Sequence, residues 1–123
     1  MRPTILLVED DEIIRELAVD VLSILDAEVL PVSSADEALQ VLKRANLVSL
    51  VLTDIHMPGQ IDGLGLARVV VELWPSLPVI VTSGNLQRRD ALPHQAAFLP
   101  KPWALDSLLT VVQQLLPEAR LKE

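Results

Sequence analysis

The chain alternates between two hydrophobic patterns. Short runs rich in aliphatic and β-branched residues recur at Ile5–Val8, Ala27–Val32, Leu47–Thr53, Leu77–Thr82 and Ala96–Leu99. They are largely apolar on both faces, as strands of a sheet covered on both sides must be. Between them apolar residues fall at helical spacing. Ile13, Ile14, Leu17, Val21, Leu22 and Leu25 form one such stripe. Ser34-Ala35-Asp36-Glu37 is a capping box opening a second, through Ala38, Leu39, Val41 and Leu42. Asp62 is placed to cap a third, through Leu64, Leu66, Ala67, Val70 and Leu73, which stops at Trp74-Pro75. The last runs from Leu105 to Leu116 and stops at Pro117.

Strands alternating with helices predict an α/β fold with a doubly wound parallel sheet and right-handed crossovers. One connection breaks the rhythm. GNLQRRDALPH, from Gly84 to His94, is polar and has room for one or two helical turns at most. The expected fourth helix is therefore shortened or missing. The charged tail Glu118–Glu123 is expected to fray.

Length and composition narrow the functions available. A chain of 123 residues is read as one domain, 1–123, large enough for its own core. No cysteine is present, which excludes disulfides, thiolate metal sites and cysteine nucleophiles and fits a cytoplasmic setting. The opening apolar run is too short for a signal peptide, and no segment approaches membrane-spanning length. A net charge of −7 argues against a nucleic-acid surface. Trp74, Phe98 and Trp103 are the whole aromatic complement, a poor supply for stacking a base or a flavin.

The polar residues that close each strand carry the chemistry. Ligands of a doubly wound sheet sit beyond the carboxyl ends of its strands. The first strand ends at Glu9-Asp10, the third at Asp54, the fourth at Thr82-Ser83, and the fifth at Lys101 between Pro100 and Pro102. The topology thus gathers acids, a hydroxyl and an amine on one rim. Carboxylates brought together raise one another's pKa unless a cation joins them. Asp10 and Asp54 with a backbone carbonyl suit Mg²⁺, a hard ion that uses few carboxylates and keeps waters. Lys101 and Ser83 are suited to phosphate oxygens, and a carboxylate such as Asp54 is a competent nucleophile for an acyl phosphate. The plainer roles are turn chemistry for Asp54 and Ser83, core packing for Phe98, and helix capping for Asp11 and Glu12.

These same stretches resemble the receiver domain of bacterial two-component response regulators. ILLVEDD (Ile5–Asp11), LVLTDIHMPG (Leu50–Gly59), DGLGLA (Asp62–Ala67), PVIVTSG (Pro78–Gly84) and FLPKPW (Phe98–Trp103) follow in the family's order and spacing. The resemblance implies a flavodoxin-like five-stranded sheet in the order 2-1-3-4-5. It implies Asp54 as phosphoacceptor, Asp10 as direct Mg²⁺ ligand, Glu9 as a ligand through water, and the His56 carbonyl as backbone ligand. It also implies Ser83 as switch hydroxyl, Lys101 as phosphate-binding lysine ahead of a cis bond to Pro102, and Phe98 as switch aromatic.

The implied partners are a histidine kinase or histidine phosphotransfer protein and a further downstream protein. Phosphoryl uptake and self-dephosphorylation, rather than turnover of an outside substrate, are the implied chemistry. Three departures stand out. Glu9 replaces the commoner aspartate, MPGQIDG holds one residue more than usual, and the interval from Gly84 to Pro100 is short. The compact last third resembles small stand-alone or hybrid-kinase-associated receivers.

Three other readings compete. A degenerate receiver would bind partners without phosphorylation, but Asp10, Asp54, Ser83 and Lys101 are all retained. An aspartyl-phosphate phosphatase would use His56, two residues after Asp54, as acid/base, but lacks a substrate cap. A flavodoxin-like cofactor binder needs a phosphate loop where this chain has EDDE.

Overall fold

A computed structural model describes residues 2–44, 47–57, 59–84 and 91–122. Its elements run β1 (Thr4–Val8), α1 (Glu12–Leu22), β2 (Glu28–Val32), α2 (Ala35–Arg44), β3 (Leu50–Asp54), α3 (Gly63–Leu73), β4 (Val79–Ser83), β5 (Ala97–Pro100) and α4 (Leu105–Leu115). The five strands form one parallel sheet in the order β2-β1-β3-β4-β5. Both the doubly wound architecture and the strand order match the expectation from sequence.

The sheet divides the core in two. On one face Ile5, Leu7, Leu50, Leu52, Ile80 and Leu99 pack against α1 and α4. On the other, Leu6, Val8, Val51, Val79 and Val81 pack against α2 and α3. Alternate residues of each strand thus serve opposite layers. The central strands β1, β3 and β4 are nearly continuous in buried residues, whereas β2 is mostly exposed. Pro31 sits in that edge strand, where it blunts pairing with another chain.

Local chemistry sets the helix ends. Asp11 caps α1 through Oδ1, which accepts from the Ile13 and Ile14 amides at 2.9 and 3.1 Å. Ser34 Oγ accepts from the Glu37 amide at 3.1 Å, and Ser33 Oγ donates to Glu37 Oε1 at 2.9 Å. Asp62 Oδ1 accepts from the Gly65 amide at 2.9 Å, opening α3 where the capping argument places it. Each such cap is worth about 1 kcal/mol. Gly63 follows because nothing larger fits. A Cβ there would lie 1.7 Å from the Asp54 carbonyl oxygen.

Two expectations need amendment. The α1 stripe is only partly buried: Ala18, Val21 and Leu22 face the core, but Ile13 is 78% and Leu17 54% exposed. The tail does not fray. Ala119 is fully buried, and the Leu121 bridge to Leu25 is flanked by Asp26 N–H to Arg120 O at 2.6 Å and Lys122 N–H to Ile24 O at 2.9 Å. Charge suggested solvent, but Ala119 and this backbone pairing anchor the segment. The described residues between β4 and β5 contain no regular helix, in keeping with a shortened or missing fourth crossover helix. Residues 85–90 of that connection, and Pro58, lie outside the described residues.

Candidate functional site

Parallel strands all end at the same pole, and there the first, third and fifth strands deliver their charges. Glu9 follows β1, Asp54 closes β3 and Lys101 follows β5. The Lys101 ammonium lies between the two acids, donating to Glu9 Oε1 at 2.8 Å and to Asp54 Oδ2 at 3.1 Å. The side chains of Glu9, Asp54 and Lys101 are 5%, 12% and 19% exposed. The Lys101–Pro102 bond is cis, and the Lys101 amide donates to the Ser83 carbonyl at 2.9 Å. The lysine is therefore held by its backbone as well as by its ammonium.

Burial is the main influence on Glu9 and raises its carboxyl pKa above the usual range. Hydrogen bonds from Lys101 and the Asp11 amide only partly oppose it, and the Asp54 charge adds to the rise. For Lys101 burial acts to lower the pKa, but the bonds to Glu9 and Asp54 and their negative charges outweigh it. The net shift is upward, which keeps the ammonium charged.

Asp10 completes an acidic cluster. One carboxylate oxygen from each of Glu9, Asp10 and Asp54 lies within 4.8 Å of the others. The donors are all oxygen, and Asp10 is exposed while Glu9 is buried. A metal ion would therefore meet solvent on the Asp10 side, as Mg²⁺ requires if it is to keep waters. Asp10 and His56 also line one open cleft of about 370 Å³ with Met57 and Asp62. Residue His56 is exposed at this mouth.

Ser83 sits deeper, and Phe98 is partly buried. Ser83 is fully buried at the end of β4. Phe98 pairs in register with Val81, so strand alternation puts Phe98 and Ser83 on the α2/α3 side of the sheet. Thr82 pairs with Leu99 and with Asp54, and so belongs to the α1/α4 side. This separates the two adjacent hydroxyls: Ser83 shares its layer with Phe98, Thr82 with Leu52 and Asp54 of β3.

Some contributors gave little signal in sequence. Thr53 is buried and its hydroxyl donates to the Asp54 carbonyl at 2.9 Å. Asp36 Oδ2 accepts from the Gln60 amide at 3.2 Å, tying down the loop that carries the extra residue. Gly59 in that loop has φ +118°, where a side chain is strained, and a Cβ there would meet Asp36 at 2.2 Å. Arg15, one turn into α1, reaches back to the carbonyls of Glu9 and Asp10. Only the spacing of Arg15 from the N-cap could have pointed to it.

A receiver is the class of protein that this fold and rim define. Residues 5–113 match the family model of the response regulator receiver domain, and the chain belongs to that family. It is 38% identical over 116 residues to the response regulator protein FleR of Pseudomonas aeruginosa, covering 91% of this chain and 24% of that protein. It is 35% identical over 118 residues to the sensor kinase CckA of Brucella abortus, covering 92% of this chain and 12% of that protein. The chain thus spans a quarter or less of the length of these relatives.

Among solved structures it resembles the signal receiver domain of an HD domain-containing protein from Pseudomonas fluorescens Pf-5. The TM-score is 0.86 at 31% identity, covering 97% of this chain and 98% of that one. A response regulator receiver protein from Sinorhizobium medicae gives 0.86 at 30% identity, covering 94% and 95%. Receivers of this kind occur in both response regulators and hybrid sensor kinases, and the chain is a signal-transduction module. No helix among the described residues is long and apolar enough to cross a membrane.

Proposed function

We propose that Asp54 accepts a phosphoryl group from a phosphohistidine donor, with Mg²⁺ held by Asp10 and Asp54 directly, Glu9 through water and the His56 carbonyl. The observation that carries this reading is the Lys101 ammonium lying between Glu9 and Asp54 beside an all-oxygen acidic cluster. An Asp54 carboxylate oxygen forms the new bond to phosphorus as the donor's N–P bond breaks, and the electron pair of that bond leaves with the imidazole. The aspartyl phosphate adds charge where three acids already stand, and Mg²⁺ supplies the neutralisation such transfers need. Lys101 contributes a point charge close enough to turn from the carboxylate to a phosphoryl oxygen. Ser83 serves as the switch hydroxyl and Phe98, in the same layer, as the aromatic that follows it. Phosphorylation biases a two-state surface rather than releasing a product.

A donor must bring its imidazole to a recessed acceptor, and apolar surface lies beside it. Ile14, Leu17, Pro102 and Trp103 line an apolar hollow of about 400 Å³ that also touches Lys101 and Gly84. With exposed Ile13 it forms the face that a histidine kinase or histidine phosphotransfer protein would cover. Self-dephosphorylation is the only hydrolysis assigned to the chain, and the whole is taken as one domain acting in the cytoplasm. Acetyl phosphate with Mg²⁺ tests the reading directly. Intact-mass measurement should show one phosphoryl adduct on the wild type and none on Asp54→Asn. A wild type that binds Mg²⁺ yet gains no adduct would overturn it.

A further inference from the structure

Arg15 lies outside every role assigned above, yet it touches the two residues that present the acidic cluster. Its Nη1 donates to the Glu9 carbonyl at 2.9 Å and sits 3.5 Å from the Asp10 carbonyl. The residue is one turn beyond the Asp11 cap, with its amide bonded to the Asp11 carbonyl at 2.8 Å. Helical side chains lean toward the N-terminus, so the guanidinium folds back over the β1–α1 turn. The Glu9 amide is already committed to the Val32 carbonyl at 3.1 Å, and the Asp11 amide to Glu9 Oε2 at 3.2 Å. Arg15 supplies the donor for the turn's remaining direction, the carbonyls. Glu9 is almost completely buried, and a buried carbonyl left without a donor costs free energy and invites the turn to rearrange.

The geometry points to Arg15 as a positioning residue for the metal site: it fixes the backbone on which Glu9 and Asp10 present their carboxylates. This rests on the proposed Mg²⁺ site. Both contacts come from Nη1, the strong one to the Glu9 carbonyl and a long one to that of Asp10; a lysine ammonium keeps a donor there but on a differently shaped and more flexible stem. The sign of the effect separates this role from simple electrostatics. A guanidinium near a cation site repels the cation, so removing Arg15 for charge reasons alone would tighten Mg²⁺ binding. Removing it as a scaffold loosens the ligands and weakens binding. Partners that orient metal ligands are typically worth about 10–100-fold in metal affinity.

Isothermal titration of the full chain with MgCl₂ at fixed ionic strength reads this directly. Arg15→Ala should weaken the dissociation constant by about tenfold, the lower end of that range. Arg15→Lys should recover part of the loss. Thermal unfolding in EDTA is run alongside. If Arg15→Ala does not fold, Arg15→Gln serves in its place and should also bind more weakly than wild type. Affinity equal to or tighter than wild type in a folded Ala or Gln variant overturns the inference. A wild type with no Mg²⁺ binding instead removes the metal site itself, and the role of Arg15 with it.

Discussion

The two ends of the sheet are built on opposite principles. At the carboxyl ends of the strands, Glu9, Asp54 and Lys101 are crowded together at low exposure and satisfy one another. At the amino ends lies a larger cavity of about 630 Å³, lined mainly by apolar residues including Leu42, Val48, Leu73, Trp74, Leu77 and Leu115. Volume alone would send a search for function to the wrong pole. A parallel sheet makes its two ends inequivalent, because every strand exits at one and enters at the other. Chemistry collects where the exits converge, and the entrances are left to packing. The tail reinforces this division, since Leu116 and Glu118 border the apolar cavity while Ala119 is buried and Leu121 bridges Leu25 in the α1–β2 connection.

Perturbing each end should give unequal results. The largest effect is expected from Asp54→Asn, which removes the proposed nucleophile and should abolish phosphoryl uptake from acetyl phosphate by intact mass. Gly63→Ala comes next. Its Cβ would lie 1.7 Å from the Asp54 carbonyl oxygen, and overpacking of this kind costs about 1–3 kcal/mol or more; urea denaturation should place it at the upper end. Ala119→Asp, at the apolar end, buries a charge without a partner. We expect a loss of about 2–3 kcal/mol in urea denaturation, with phosphoryl uptake intact under native conditions. An acceptor-site defect in the folded Ala119→Asp protein would break the division between the ends.

A subtler effect concerns pH. The Lys101 pKa is raised in the folded state, so its contribution to stability is full below the unfolded lysine value of 10.5 and is lost as pH rises through the higher folded value. Glu9, also raised, contributes most below the unfolded carboxyl value of 4.5 and loses that contribution as pH rises through its folded value. In metal-free protein, Lys101→Met should flatten the alkaline arm of the stability curve, as followed by denaturant unfolding above pH 10. An alkaline arm identical to wild type would remove the link to Lys101. The smallest effect is expected from Leu73→Lys. Leu73 is 57% exposed at the apolar end, and the change should stay within about 0.5 kcal/mol and leave Mg²⁺ binding untouched.

Much of this was legible in the chain because the relevant signals are local. Runs of aliphatic residues marked all five strands to within three residues, and Asp11, Ser34 and Asp62 announced their helices. Lys101, Asp54 and Glu9 could be grouped because a parallel topology sends strand ends to one place. What escaped depended on three-dimensional partners. Ile13 and Leu17 have the spacing of a core stripe, yet α1 turns them outward, since periodicity fixes a face but not how deeply its rim is covered. Arg15 and Asp36 act through backbone atoms of other segments, which no side-chain motif records. The tail looked too polar to dock because its anchor is one small alanine and the two backbone hydrogen bonds of the Leu25–Leu121 bridge.

Gly63 and Gly84 flank the carboxyl end of the sheet, and their surroundings differ. At Gly63 the start of α3 is pressed onto the last residue of β3, with the Gly63 amide bonded to the Ile55 carbonyl at 2.8 Å and no space for a methyl group. At Gly84, just past β4, an added methyl would meet nothing within 4 Å among the described residues. A push originating at Asp54 would therefore meet a stiff abutment on the α3 side. Such a contact transmits displacement instead of absorbing it: any shift of the end of β3 would carry the start of α3 with it.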